Sequence, residues 1–178
     1  MVRQTNPMAS VEPVSPSSPA LPVESIGIQR IDHVGIAVTD LDEAIDFYGR
    51  VFGMACVHVE ENQEQGVREA MLAVGPTTDG GCLQLLAPLS PTSTIAKFLD
   101  RNGPGMQQLA YTVANIDETS DALRARGVRL LYDEPRHGTA GSRVNFVHPK
   151  DAGGVLIELV EPATTSLSSP ARELRPRI

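Results

Sequence analysis

Ile31-Asp32-His33-Val34-Gly35-Ile36-Ala37-Val38 decides the fold, because the chain carries a second version of it at Met106-Gln107-Gln108-Leu109-Ala110-Tyr111-Thr112-Val113. The two stretches lie 75 positions apart (33 to 108). Side chains alternate between faces along a strand. Val34, Ile36 and Val38 therefore form one apolar face, matched by Leu109, Tyr111 and Val113. His33, Gly35 and Ala37 form the other, matched by Gln108, Ala110 and Thr112. The apolar face is expected to pack on a core and the other to line something open.

The repeat extends outward from this pair. Asp40, with Glu43 three residues on, is placed to cap a helix whose apolar stripe is Leu41, Ala44, Ile45, Tyr48 and Phe52 and which Gly53 ends. In the copy Asn115 caps, Ile116, Thr119 and Leu123 continue the stripe, and Gly127 ends it. Asp42 aligns with Asp117, Arg68 with Arg143, and Gln84 with Glu158 (the last shifted by 74). Each module reads as one strand, one helix and three strands, with modules at 30–90 and 105–162 and a linking helix at 92–102. A β-α-β-β-β unit of this size cannot cover both faces of its own sheet. The expected fold is therefore α+β, with two tandem modules joined into one curved mixed sheet around a central cavity, the cavity in which the residues described below point to a metal.

Five prolines among serines and small residues mark 1–27 as a tail too polar to offset its ordering entropy, and 163–178 reads the same way. The folded part is expected at 28–162. A formal charge of -7 argues against nucleic acid and anionic membranes as partners. No apolar run reaches the roughly 20 residues that span a bilayer, and nothing at the start resembles a secretory signal. Cys56 and Cys82 are too few for a disulfide framework or a structural zinc site. They are expected to be buried thiols of a cytoplasmic protein.

Four matching positions converge on the expected cavity: His33 and Gln108 from the first strands, Gln84 and Glu158 from the last. Each offers a lone pair, through one imidazole, two amide oxygens and one carboxylate. An oxygen-rich set of this kind suits a six-coordinate divalent ion with positions left for substrate, rather than a closed zinc site. Taken singly, a strand histidine or glutamine is more often a satisfied polar residue. The paired placement is what singles these out. Arg143, His148 and Lys150 are candidate contacts for a substrate carboxylate or phosphate, and Lys97 is a weaker one.

Several motifs together resemble the methylmalonyl-CoA epimerase family of the vicinal oxygen chelate superfamily: Asp32-His33-Val34-Gly35, Glu64-Gln65-Gly66-Val67, Leu131-Tyr132-Asp133-Glu134-Pro135, His148-Pro149-Lys150 and Gly154-Val155-Leu156-Ile157-Glu158. The likeness covers 30–162. It implies epimerisation of an acyl-CoA, a homodimer, and a divalent ion, cobalt first, with manganese, magnesium or nickel as alternatives. By motif, His33, Gln84 and Glu158 match metal ligands. The family's fourth ligand closes a Gly-x-His-His motif, which here reads Gly105-Met106-Gln107-Gln108, so Gln108 would ligate through a weaker amide oxygen. By the family pattern Glu69 and Glu158 are the two acid–base groups. Glu69 breaks the internal symmetry, since its counterpart is Val144; the plainer reading is a solvated strand glutamate. Two other classes compete: a different superfamily metal enzyme, such as a glyoxalase-type isomerase or a ring-cleaving dioxygenase, and a small-molecule binding protein without chemistry.

Overall fold

The structure is a computed structural model that describes residues 25–163. The two expected tails therefore lie almost wholly outside the described residues. The first module consists of β1 (Ile28–Ala37), α1 (Leu41–Phe52), β2 (Ala55–Asn62), β3 (Val67–Ala73) and β4 (Cys82–Pro88). After the linking helix α2 (Thr94–Asn102), the second consists of β5 (Gly105–Val113), α3 (Ile116–Ala125), β6 (Arg136–His137), β7 (Arg143–Val147) and β8 (Leu156–Glu161). The strands form one sheet in the order β2-β3-β4-β1-β5-β8-β7-β6. Its centre is the antiparallel pair β1–β5, the two stretches from which the repeat was read, and each is flanked by its module's last strand in parallel.

The helix ends are set by local chemistry. The Asp40 carboxylate accepts from the Glu43 amide at 2.9 Å, and Asn115 Oδ1 accepts from the amides of Asp117 and Glu118. Gly53 ends α1 at φ 69°, where a Cβ would be strained. Helix α1 covers the convex face of the first module through Leu41 against Leu72 and Leu85. Helix α3 covers the second through Ile116 against Val113 and Leu159.

The alternation along β1 and β5 is as read, and Ile36, Val38 and Val113 pack against the helix-covered clusters, but the small and polar face is the more deeply buried of the two. His33, Gly35, Ala37, Gln108, Ala110 and Thr112 are buried, whereas Val34, Ile36, Leu109 and Tyr111 are only half-buried. Curvature folds the two wings of the sheet over the concave side. On the convex side the two helices sit over their own modules and leave the β1–β5 seam uncovered, with Ile31 and Met106 exposed. The thiols also depart from expectation. Cys56 is exposed on the edge strand β2 and Cys82 is half-buried. No helix among the described residues is long and apolar enough to cross a membrane.

Candidate active site

The concave face of β1 carries His33, and a bulge opposite β5 lets Asp32 reach the same side. Strict alternation would send neighbouring residues to opposite faces; here the Asp32 carboxylate lies 2.9 Å from His33 Nδ1 and accepts from the Thr112 hydroxyl at 2.6 Å. This leaves His33 Nε2 facing inward, 3.0 Å from Glu158 Oε2 on β8. A second irregularity, at Gly35/Ile36, sets Gln107 and Gln108 both against the cavity. Gly35 makes room for Gln108: a Cβ there would stand 2.5 Å from Gln108 Cγ.

From Gln108 a hydrogen-bonded chain crosses the cavity floor. Its amide nitrogen donates to Glu158 and, at 3.2 Å, to Gln84 Oε1. The Gln84 amide donates to Glu69 Oε2 at 3.0 Å, and the Thr139 hydroxyl donates to Glu69 Oε1 at 2.7 Å. Thus His33, Gln84, Gln108, Glu158 and Glu69 stand in one buried cluster, each at most 6% exposed. The reading of Glu69 as a solvated strand residue is corrected: it is 2% exposed.

Electrostatics separate the groups. Burial pushes the Glu69 carboxyl up; the Thr139 hydroxyl opposes this, but the neighbouring carboxylates Glu60 and Glu158 reinforce it, and the result is about 7. Glu60 stands directly across from Glu69 in the β2–β3 register and is tied to His58 and the Ala140 amide. Burial pulls His33 down, yet the hydrogen bonds and charges of Asp32 and Glu158 outweigh it and raise His33 to about 9.

A cavity of about 180 Å³ opens beside Gln84, Gln108 and Glu158. Gln107 lines it, and its Oε1 is buried with no hydrogen-bond partner, an acceptor left for something that enters. The candidate anion contacts stand elsewhere. Arg143 makes a bidentate ion pair with Asp117 at 2.9 Å on the convex side, His148 caps the turn at 149–151, and Lys150 is exposed on that turn. None of them, nor Lys97, lines the cavity. Arg136, which the sequence reading passed over, does. It belongs to the two-residue strand β6, too short to carry a period.

The four donors meet one requirement of a divalent ion: two amides, one imidazole and one carboxylate converge with no larger group between them. The Gln84 oxygen already faces the cluster, and turning the Gln108 amide by half a turn presents its oxygen in place of nitrogen at unchanged shape. The Asp32–His33 contact is the outer support that a metal-bound imidazole usually has. Glutamines stand at two of the four converging positions, so the set holds one histidine where the site of a ring-cleaving dioxygenase uses two with one carboxylate.

A family model described as the glyoxalase/bleomycin resistance protein/dioxygenase superfamily matches residues 32–146. The chain belongs to this superfamily. Within it, the chain is 38% identical over 148 residues to the mitochondrial methylmalonyl-CoA epimerase of Mus musculus, covering 83% of this chain and 80% of that one. The crystal structure of methylmalonyl-CoA epimerase from Mycobacterium tuberculosis is 56% identical, with a TM-score of 0.75 over 81% of this chain and 94% of its own. A solved methylmalonyl-CoA epimerase in complex with methylmalonyl-CoA and an ammonium ion is 49% identical, with a TM-score of 0.73 over 80% and 99% of the two chains. The curled eight-stranded sheet is thus the superfamily's fold, in the form that epimerases of the family share.

Proposed function

We propose that this protein is an isomerase that interconverts the two epimers of methylmalonyl-CoA, with Glu69 and Glu158 as the acid–base pair. One observation carries the assignment of roles. Two buried carboxylates in unlike surroundings stand at the two ends of the Gln84–Gln108 amide pair, Glu158 lining the cavity and Glu69 next to it behind Gln84. The carbon to be inverted lies between a thioester and a carboxylate. Its proton must leave on one face and another must arrive on the opposite face. A carboxyl held at about 7 is divided between acid and base at neutral pH, so Glu69 serves in either direction. Thr139 and Gln84 fix both of its oxygens, which orients the group toward one face.

His33, Gln84, Gln108 and Glu158 would hold the divalent ion, cobalt being the one implied by family likeness. When bound, such an ion supplies the positive charge that stabilises an enolate oxygen. His33 must first give up its proton, so ion binding strengthens as pH rises toward 9.

The homodimer is proposed to form through the uncovered convex seam, where Ile31, Val34, Met106, Leu109 and Tyr111 make an apolar strip; Phe47, Val51 and Phe52 of α1 are exposed as well. Met106→Glu should convert a dimer to a monomer in sedimentation; an unchanged mass in that variant places the interface elsewhere.

The deciding experiment starts from one methylmalonyl-CoA epimer in deuterated water. Inversion with one deuterium gained at the α-carbon is expected. Recovery of the starting epimer with no label defeats the epimerase reading.

A further inference from the structure

The cavity beside the site is acidic. Glu64 and Glu158 line it and Glu69 lies behind Gln84, in a chain of net charge -7. Among the described residues a single Lys or Arg lines it, Arg136. The Arg136 guanidinium lies over the Tyr132 ring, its Cζ 3.9 Å from the ring centre, and Nη1 is 3.2 Å from Glu64 Oε1. Glu64 belongs to the turn between β2 and β3 of the first module and Arg136 to β6 of the second, so the pair bridges the modules across the cavity mouth. Both side chains are 47% exposed.

An exposed ion pair with one contact is weak, because water competes for both partners. The tyrosine face, by contrast, holds the guanidinium plane in place, and a guanidinium binds carboxylate or phosphate through two parallel hydrogen bonds. An arriving anion can therefore take Arg136 from Glu64 at small cost. We infer that Arg136, stacked on Tyr132, receives an anionic group of the acyl-CoA, and that Glu64 is an internal competitor which the substrate displaces. The anion is the malonyl carboxylate or a CoA phosphate; both present the same oxygen fork. The assignment rests on the acyl-CoA reading above.

A latch of this kind has a signature that a structural ion pair lacks. Removing its two halves shifts affinity in opposite directions. Arg136→Ala should raise KM for methylmalonyl-CoA by roughly tenfold, the scale of a lost charge-assisted contact, with kcat within twofold. Glu64→Gln should lower KM by a few-fold. Arg136→Lys should recover part of the loss. The same variants are then assayed on methylmalonyl-pantetheine, which has no phosphate. If Arg136→Ala no longer matters there, the anion is a phosphate; if the tenfold rise persists, it is the carboxylate. Thermal melting of each variant checks that it folds, and Glu64→Gln tests the latch even if Arg136→Ala does not. A rise in KM for both variants, or no change in either, overturns the proposal. If the wild-type protein turns over no acyl-CoA, the failure lies in the activity assigned above, and that is seen before any variant is compared.

Discussion

The two modules share a scaffold and differ at the site. Asp42 on α1 and Arg68 on β3 form a bidentate ion pair with both contacts at 2.9 Å; Asp117 on α3 and Arg143 on β7 form the same pair at the same distances. Each clamps the first turn of a helix to the strand beneath it. The concave positions behave differently. His33 faces Gln108, Gln84 corresponds to Glu158, and Glu69 corresponds to Val144, which packs with Ala110, Phe146 and Val160 in an apolar floor. Gly35, which leaves room for Gln108, corresponds to Ala110. The ion-pair residues, alike in the two modules, hold each module together internally. At the concave positions the equivalent residues differ in chemical type, and there side chains of one module face those of the other.

The strongest break of this comparison is at Glu69. Glu69→Gln keeps the shape and one of the two accepting oxygens but cannot accept a proton, so epimerisation should fall by about 10²–10⁴. Ion content measured by elemental analysis should not change. Solvent exchange should survive from the epimer whose proton faces Glu158 and vanish from the other. Near-normal turnover in this variant would remove Glu69 from the acid–base pair.

Next come the first strands, which can be made alike in either direction. His33→Gln gives two glutamines and should strip most of the bound ion and most activity. Gln108→His gives two histidines and should tighten ion binding, read by competition with a chelator. Weaker binding in Gln108→His would mean that this side chain does not point at the ion. In the ion-free protein His33 also links stability to pH. Its folded value, about 9, lies above the ordinary 6.5, so its stabilising contribution is complete below about 6.5 and is lost as pH rises through about 9. Urea unfolding at pH 6 and pH 9.5 should show that loss in the wild type and not in His33→Gln.

A smaller effect is expected at Glu60, whose like charge helps to hold Glu69 near 7. Activity that requires ionised Glu69 should fall as pH drops through about 7. Glu60→Gln should move that midpoint down, and an unmoved pH profile would detach Glu60 from the site.

The smallest effects belong to the duplicated clamps. Arg68→Gln and Arg143→Gln should lower Tm slightly and by similar amounts, with kcat/KM within twofold. A selective rise in KM for Arg143→Gln alone would return that residue to the substrate.

Arg143 pairs with Asp117 as Arg68 pairs with Asp42. The alignments of Asp42 with Asp117 and of Arg68 with Arg143 were both legible, and an arginine duplicated together with its acidic partner belongs to a scaffold. The candidate site stood out through the opposite signal, unlike residues at equivalent places. Asp32, Thr139 and Arg136 gave no such signal. Asp32 reaches the site only through a β-bulge, and the other two lie in a segment with no sustained period.

By itself the sequence determined the strand alternation, the helix caps and the two-module order, all of which are short-range consequences of side-chain periodicity and of hydrogen bonds between near neighbours. It also determined which side chains share a concave face. Tertiary structure decided what that face encloses. The curl of the sheet buried the polar side of β1 and β5 and bared the apolar seam. Two bulges turned Asp32 and Gln107 inward, and the closing wings brought Arg136 to Glu64, 72 residues apart in the chain. Such contacts depend on the path of the whole backbone, and no local pattern encodes that path.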